Sequence, residues 1–265
     1  MIQSIGGGDD PALDTVRRSI DSEISSRLTP LQQYARYLSR RAVVDAPSGS
    51  PARPVLTSQD VESLGATVET IIVGYDVLIG AGFIAAPGIV DGDDRYMLWL
   101  QRRNGSIRRL RLNFDTSDLD SYDYLGMDWY VRTRDRLRPS LIGPYLDYSG
   151  SDALVLTASV PVTIGGEFLG VVAVDLMAQA VEQDLTAQLC RLGRQVVVVN
   201  AERAVVASSS VRWLPGERLT AMPVDDPDQF EAVVKINTWT DWQLAVVRAS
   251  ERSEPPRVCR RLSNL

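Results

Sequence analysis

The segment "ALVLTASVPVTIGGEFLGVVAVDL", residues 153–176, decides the fold of this chain. Two runs rich in valine, leucine and isoleucine flank the pair Gly165-Gly166. A two-residue glycine turn between such runs is typical of a β-hairpin. Few polar residues interrupt either run, which indicates that both faces of the strands are covered. The sequence therefore predicts a hairpin of two largely buried strands.

The segment before this hairpin begins with helical patterns. Apolar residues recur at steps of three and four over residues 11–41, which predicts an amphipathic helix that Pro30 kinks or divides. A loop rich in proline, serine and glycine at 45–54 ends this helix. A second helix is expected to begin with Ser58 or Asp60 as its cap.

Extended segments begin at Gly80, and Asn104-Gly105 predicts a further hairpin between two of them. After the central hairpin, residues 177–193 predict a helix that ends at Gly193, and four shorter strands follow. The expected order is two helices, a five-stranded unit, a linking helix and a four-stranded unit. Antiparallel hairpins with helices at one side indicate an α+β fold.

The composition excludes several classes of function. The chain has 265 residues, of which 45% are apolar and 23% charged, and this balance is typical of globular proteins. It contains no histidine, which removes histidine-based nucleophile systems and histidine zinc sites. The net charge of −6 disfavours nucleic acid as a partner, and the arginine-rich hairpin at 101–111 is expected to be a solvated edge. We expect no cofactor and no bound metal.

The two cysteines and the chain termini add further expectations. Cys190 and Cys259 lack the spacing of metal ligands, and a buried free thiol is expected for Cys190, with a disulfide between the two as the alternative. The first residues show no signal-peptide pattern, and no apolar run reaches the ~20 residues of a membrane helix. The sequence as written therefore predicts a soluble, cytoplasmic chain.

Four motifs resemble those of the double Cache sensor family, and they occur in that family's order. The segment "GGEFLGVVAVDL" before a helix resembles the end of the ligand-binding half. "VVVVNAERAVVASSS" (196–210) resembles the second half, although Glu202-Arg203 replaces the usual turn glycine. "TDWQLAVVRA" (240–249) is similar to the last strand, and the N-terminal helix and "GAGFIAAP" (80–87) also fit. The resemblance implies a long N-terminal helix with two PAS-like antiparallel-sheet modules.

This resemblance implies a division of the chain into four parts. Residues 1–57 form an N-terminal helical region and loop, 58–190 a ligand-binding module with its linking helix, 191–250 a second, smaller module, and 251–265 a tail. Such domains usually lie outside the cell membrane on chemoreceptors and histidine kinases. The resemblance therefore implies a non-catalytic sensor that signals through an unknown partner protein. A homodimer through the N-terminal helix is also implied, although its apolar stripe could equally be covered within the chain.

The amino-acid-recognising branch of that family implies the residues of the site. Its pattern is an aromatic residue, an arginine, Trp-Tyr, Tyr-x-Asp, and an aspartate that ends the closing strand. The matching residues in this sequence are Tyr122, Trp129, Tyr130, Tyr145, Asp147 and Asp175, and Asp128 adds a carboxylate beside the tryptophan. Met127 stands where the arginine would bind the carboxylate of an amino acid.

The charges of this set favour an organic amine as the ligand. A ligand carboxylate needs a cation such as arginine to offset its desolvation, and methionine offers no donor. Aromatic rings stabilise a desolvated ammonium by about 0.5–2 kcal/mol each, and the aspartates supply its counter-charge. The alternative is a sensor of an amino acid or other small carboxylate, with one of Arg132, Arg134, Arg136 and Arg138 in the role of the missing arginine.

Simpler interpretations of the same residues stay open. Trp129 and Tyr130 could be ordinary core aromatics, and Asp175 could cap the helix that follows it. Asp147 could be a turn residue after Gly143-Pro144. A hydrolase that uses the carboxylates as acid and base is disfavoured, because the sequence has neither histidine nor a nucleophile motif.

Spacing bears on two of the pairs. In an extended segment Tyr145 and Asp147 share one face of a strand. Asp128 and Tyr130 would do the same, which would place Trp129 on the opposite face unless the backbone bulges. The sequence therefore supports Asp147 and Asp175 more strongly than Asp128.

Overall fold

The computed structural model describes residues 10–45, 53–115 and 117–249, and its class is α+β as predicted. Its helices are Pro11–Arg41 (α1), Ser58–Glu62 (α2), Gly65–Gly74 (α3), Asp128–Arg136 (α4) and Ala178–Cys190 (α5). The strands before the central hairpin are Val43–Asp45 (β1), Arg53–Val55 (β2), Leu78–Ala85 (β3), Met97–Arg103 (β4), Ser106–Arg109 (β5) and Ser140–Asp147 (β6). The hairpin and the strands after it are Ala153–Ile164 (β7), Glu167–Met177 (β8), Val196–Val199 (β9), Val205–Ser208 (β10), Phe230–Lys235 (β11) and Gln243–Val247 (β12).

The chain forms two compact units. The larger unit is Arg27–Met177, and the smaller unit combines the described residues of 1–26 and 178–265. The predicted boundaries at 57/58 and 190/191 differ from this partition, which divides the chain at 26/27 and 177/178. The second predicted boundary assigns α5 to the ligand-binding module. In the structure α5 packs against β10 of the smaller unit and buries Val181, Leu185 and Leu189.

The larger unit is built on a six-stranded antiparallel sheet in the order β5-β4-β3-β8-β7-β6. The central hairpin β7–β8 is confirmed, and Gly165 and Gly166 adopt the positive φ values of 57° and 90° that its tight turn requires. The predicted count of five strands is wrong, because β6 adds a sixth at the edge. Gly143-Pro144 interrupts β6 and shifts its register between Ile142 and Tyr145, which hides the strand pattern in the sequence.

Helices lie on both faces of this sheet. On one face α3 packs on β3 and β4, and Arg102 of β4 donates a hydrogen bond to the carbonyl of Ile72 in α3. On the other face α4 packs on β6, β7 and β8. An aromatic cluster fills the space between α4 and the sheet, and it consists of Ile84, Met97, Trp99, Tyr124, Trp129, Tyr130, Val171 and Ala173.

The N-terminal helix α1 runs without a break through Pro30, so of the two predicted effects of this proline, a kink or a division, the division is wrong. Its start is fixed by Asp10, whose carboxylate accepts hydrogen bonds from the backbone N–H groups of Ala12 and Leu13. The apolar stripe of α1 is buried in the single chain, with Leu13, Val16, Ile20, Ile24, Leu28, Leu31, Tyr34 and Leu38 all at most 6% exposed. This stripe therefore offers no exposed apolar surface to a second copy, and the homodimer stays a prediction.

The predicted second helix is divided into α2 and α3 at Ser63 and Leu64. Its cap is Thr57, one residue before the predicted position, and Thr57 forms a reciprocal capping box with Asp60. The predicted loop at 45–54 falls largely on residues 46–52, which lie outside the described residues.

The smaller unit has a four-stranded antiparallel sheet in the order β10-β9-β12-β11, as the sequence predicts. The helix before it ends near Gly193, whose φ of 61° is accessible to glycine at little cost. Cys190 is disulfide-bonded, so the expectation of a free thiol is wrong. Cys259, the other cysteine of the chain, lies outside the described residues.

None of the helices in the described ranges combines the length and the apolar character that crossing a bilayer requires. The first nine residues and the segment from Ser250 onward, on which the sequence expectations about the termini rest, are outside the described residues.

Candidate functional site

A cleft opens in the larger unit, next to the aromatic cluster on the face of the sheet that α4 covers. The space between its walls, counted out to the open mouth and into the solvent there, is about 390 Å³. It is lined by Ile84, Met97, Trp99, Leu110, Leu112, Tyr122, Trp129, Tyr145, Asp147, Ser149, Gly150, Thr157, Ala173 and Asp175. Four aromatic rings and two carboxylates thus share one partly enclosed space.

Five of the seven site residues predicted from the sequence line this cleft. They come from four separate parts of the chain, namely Tyr122 before α4, Trp129 in α4, Tyr145 and Asp147 in β6, and Asp175 in β8. The strand geometry explains the β6 pair, because Tyr145 and Asp147 are two residues apart and therefore share a face.

The structure places Asp128 and Tyr130 outside the cleft. The Asp128 side chain is 65% exposed in the first turn of α4, and its carboxylate lies 3.7 Å from the guanidinium of Arg132. Tyr130 is fully buried in the aromatic cluster, where its ring meets those of Tyr124 and Phe168 edge to face. The sequence reasoning treated this segment as extended, but it is a helix. Successive helical residues point about 100° apart, so Trp129 can face the cleft while Tyr130 enters the core.

Asp175 lies at the end of a short chain of hydrogen bonds. The Thr157 hydroxyl donates to the Asp175 carboxylate at 2.6 Å, and the Tyr145 hydroxyl lies 2.6 Å from the Thr157 hydroxyl. Because Thr157 has one proton and gives it to the carboxylate, Tyr145 is the donor in the second bond. Asp175 is only 7% exposed, and burial raises its pKa to about 7, with the nearby Asp147 carboxylate acting in the same direction. Asp175 thus accepts its hydrogen bond across the sheet and lies inside β8, rather than capping α5.

Asp147 both lines the cleft and orders the loop that follows β6. Its carboxylate accepts hydrogen bonds from the backbone N–H groups of Gly150 and Ser151, at 3.1 and 2.8 Å, and from the Ser151 hydroxyl at 3.0 Å. A Cβ at position 150 would lie 2.5 Å from the Asp147 carboxylate, which explains the glycine there. The interpretation of Asp147 as a turn residue is therefore also correct. The same side chain lines the cleft and stabilises the turn after β6.

Burial and these two carboxylates also act on the tyrosines of the cleft. The pKa of Tyr122 is raised above its ordinary value by burial and by the negative charges of Asp147 and Asp175. The pKa of Tyr145 is raised in the same way, chiefly by burial and then by Asp175. Both phenols therefore stay protonated and can only be neutral partners of a ligand at ordinary pH.

Trp129 is held in place by a group of buried hydroxyls. Thr133, Ser140 and Ser159 lie within 2.6–2.9 Å of one another, and the Ser159 hydroxyl donates to the Trp129 carbonyl at 2.9 Å. These three residues belong to α4, β6 and β7, so the group ties the first turn of α4 to the sheet. Trp129 itself is 6% exposed.

Sequence reasoning missed several residues that line the cleft, above all Trp99 and Thr157. A Cβ at Gly80 would lie 2.7 Å from the Trp99 indole nitrogen, so the indole lies over a position where β3 has no side chain. Thr157 pairs with Asp175 across the central hairpin. The bare glycine in "GAGF" and the polar threonine in an apolar strand are the signals that could have indicated both.

No arginine or lysine is among the residues that line the cleft, as far as the described residues show. Met127, which stands at the position of the family's arginine, packs against the aromatic cluster instead. Arg134, Arg136 and Arg138 are exposed, and Arg132 lies beside Asp128. The sequence alternative that one of these arginines replaces the missing one has no support from the cleft's lining.

The comparisons with known proteins agree with this architecture. Residues 66–183 match the family model of the first PDC sensor domain of methyl-accepting chemotaxis protein-like proteins. The comparison with curated sequences finds no match.

Solved structures of sensor domains share the fold over nearly their whole length. The ligand-binding domain of the Campylobacter jejuni chemoreceptor Tlp3, in complex with L-valine, has a TM-score of 0.60 at 13% identity, covering 91% of this chain and 90% of that one. The extracellular domain of the putative histidine kinase mmHK1S-Z3 has a TM-score of 0.61 at 12% identity and covers 95% of both chains. The fold of this chain is thus that of PDC, or Cache, sensor domains.

Proposed function

We propose that this chain is a non-catalytic sensor module whose cleft binds the ammonium group of a small molecule. The observation that carries the proposal is the pairing of Asp147 and Asp175 with four aromatic rings in a cleft whose lining, among the described residues, includes no basic side chain. A buried carboxylate without a cation is costly, and a bound ammonium removes that cost. The faces of Trp99 and Trp129 add cation–π attraction.

Two ligand classes contain such an ammonium group. Among the solved relatives, the Tlp3 domain binds L-valine, which favours an amino acid. The lining of the cleft favours an amine, because an α-carboxylate next to Asp147 and Asp175 would find no cation to pair with. The amino acid agrees better with the relatives, and the amine with the charges of the described site, so both belong in one test.

The test is isothermal titration calorimetry with primary amines, the matching α-amino acids and simple carboxylates. We expect ligands with an ammonium group to bind and carboxylates without one to show no heat of binding. Asp175→Asn and Asp147→Asn should each weaken binding by about tenfold or more, because each removes one charge from the cleft.

Asp128→Asn is the matched control, since it removes an equal charge from an exposed position outside the cleft. Its affinity should stay within about twofold of the unchanged protein. Binding of carboxylates alone, or equal losses in all three variants, would show that the cleft does not recognise an ammonium.

Signal output in this proposal passes through a partner protein. The solved relatives support this, because Tlp3 is a chemoreceptor and mmHK1S-Z3 is a putative histidine kinase.

A further inference from the structure

The face of the sheet that lines the cleft continues along the strand pair β4–β5, past the end of the cleft. Trp99 and Leu110 line the cleft, and along the same strands Gln101 pairs with Arg108 and Arg103 with Ser106. Since side chains alternate between faces, Gln101, Arg103 and Arg108 lie on the same face as Trp99.

Arginines at the intervening positions confirm this alternation. Arg102 donates a hydrogen bond to the carbonyl of Ile72 in α3, and Arg109 forms an ion pair with Glu62 in α2. Both therefore point to the face of the sheet that is opposite the cleft. The arginines of the β4–β5 hairpin thus lie on two faces of the sheet. Arg103 and Arg108 lie on the face of the cleft, and Arg102 and Arg109 on the opposite face.

Asp175 and Arg108 lie in a single row that crosses the sheet. Asp175 is paired with Gly80, Gly80 with Gln101, and Gln101 with Arg108. Neighbouring strands are about 4.8 Å apart, so the Cα atoms of Asp175 and Arg108 are separated by roughly 14 Å. Side chains stand roughly perpendicular to the sheet, so they shorten this separation little. After a contact of about 3 Å at each end, roughly 8 Å remain between the ammonium and the carboxylate of a ligand that bridges the row.

The arginines at the far end of the row are exposed and have no carboxylate partner among the described residues. Arg103 and Arg108 line a groove together with Gln101, Asn104, Arg109 and Arg111, and Leu110 belongs to both this groove and the cleft. The Arg108 side chain donates to the Ser106 hydroxyl at 3.0 Å, which holds it along the hairpin. In an acidic chain, two such arginines beside the cleft form a local site for an anion.

A hydrogen bond joins a residue of the groove to a residue of the cleft lining. The Gln101 side-chain amide donates to the Gly150 carbonyl at 3.3 Å, which is long for such a bond and therefore weak. Gly150 belongs to the loop that Asp147 orders. A ligand that crosses this point can replace the bond, because the same amide can donate to a ligand carboxylate.

We propose that Arg108, with Gln101 and Arg103, binds the anionic end of a zwitterionic ligand whose ammonium lies between Asp147 and Asp175. This rests on the proposed function and narrows it to a class of ligand. The two charges of an α-amino acid sit on one carbon and cannot span the row. An ω-amino acid with several methylene groups between ammonium and carboxylate can. Arg108 thereby takes the role of the family's arginine, which is Met127 in this chain, but it lies at a different place and farther from the ammonium.

The test is calorimetry with a chain-length series, namely glycine, 3-aminopropanoate, 4-aminobutanoate, 5-aminopentanoate and 6-aminohexanoate. Each is compared with the alkylamine of the same chain length that lacks the carboxylate. We expect the carboxylate to improve affinity by tenfold or more only in the longest members, 5-aminopentanoate and 6-aminohexanoate. Arg108→Gln should remove this gain and leave the affinity of the alkylamines unchanged. Arg134→Ala, which removes an equal charge from an exposed site on α4, should preserve the gain.

The outcomes separate this inference from the function on which it rests. If alkylamines bind but the carboxylate gives no gain at any length, or if Arg108→Gln keeps the gain, the inference is overturned and the ammonium site stands. If glycine and other α-amino acids bind best, the inference is likewise overturned. If no ligand with an ammonium group binds, the proposed function fails and this inference fails with it.

Discussion

Asp175 is the residue on which the chemistry of the cleft depends most. It is a carboxyl group at 7% exposure whose one hydrogen-bond donor among the described residues is a neutral threonine hydroxyl. Water and cations stabilise a charged carboxylate far better than one hydroxyl does. This buried environment therefore favours the protonated form of Asp175, and a bound ammonium would favour the ionised form.

This imbalance predicts how the stability of the protein changes with pH. Burial raises the pKa of Asp175 from 3.8 to about 7, so the folded chain holds a proton that the unfolded chain has lost between these values. The resulting stability is fully present below pH 3.8 and is lost as the pH rises through about 7. The loss in the free energy of unfolding is about 4 kcal/mol at most.

Urea denaturation of the protein and of Asp175→Asn between pH 4 and pH 8 measures this effect. Other titrating groups contribute equally to both proteins, so the difference between the two free energies isolates Asp175. We expect the free energy of unfolding of Asp175→Asn to rise steadily, relative to that of the unchanged protein, as the pH increases over this range. A difference that stays constant with pH would mean that Asp175 titrates like an exposed aspartate.

At the scale of single residues, the sequence predicts a side chain's position correctly where that position depends only on the local strand pattern. Tyr145 and Asp147 were placed correctly because their strand alternation is local. Asp128 and Tyr130 were misplaced because the segment 128–138 resembles a strand, with Arg132, Arg134, Arg136 and Arg138 at every second position. Packing of Trp129, Tyr130 and Thr133 into the core makes it a helix, and tertiary contacts of that kind override a local pattern.

Among the elements, α4 depends on the buried hydroxyls of Thr133, Ser140 and Ser159. Each hydroxyl lies within hydrogen-bonding distance of the other two, and the Ser159 hydroxyl also reaches the Trp129 carbonyl. Removing one member leaves buried polar atoms without a partner, which costs more than the bond itself contributes.

We therefore expect Ser159→Ala to lower the free energy of unfolding by about 1–3 kcal/mol. It should also weaken ligand binding, since α4 carries Trp129 into the cleft. Chemical denaturation followed by Trp fluorescence measures the first effect.

Ser26→Ala is the control for this experiment, because Ser26 is exposed on α1 and its hydroxyl bonds only to the Glu23 carbonyl of its own helix. Its effect should stay within about 0.5 kcal/mol. Equal effects of the two substitutions would contradict a stabilising role of the hydroxyl group.

The central hairpin shows why the sequence alone could not find Thr157. Counting from the turn, where Ile164 faces Glu167, places residue 157 opposite Val174. An irregularity between Val162 and Thr163 shifts the register by one, so that Thr157 faces Asp175. A one-residue shift exchanges the two faces of a strand, and no pattern in either strand announces it.

At the scale of the whole molecule, the sequence predicted the order of the elements well. Both hairpins, the linking helix and the four-stranded sheet are where the motifs placed them. The sixth strand and the grouping of α5 with the smaller unit were missed, because both depend on which surfaces meet after folding.

The disulfide at Cys190 predicts a property of the whole chain. Cys190 should not react with a thiol reagent in the native protein and should react after reduction. Reduction should lower the free energy of unfolding by about 2–4 kcal/mol, since a covalent link restricts the unfolded chain. Two reactive thiols in the unreduced protein would contradict the bond.

The central claim is that the cleft of the larger unit recognises an ammonium group, and a crystal structure of the protein with a bound ligand from the amine and amino-acid panel tests it most directly. The claim predicts the ammonium nitrogen within about 3 Å of the carboxylates of Asp147 and Asp175, with the rings of Trp99 and Trp129 around it. A ligand carboxylate at those two aspartates, or a ligand bound in the smaller unit, would contradict the claim.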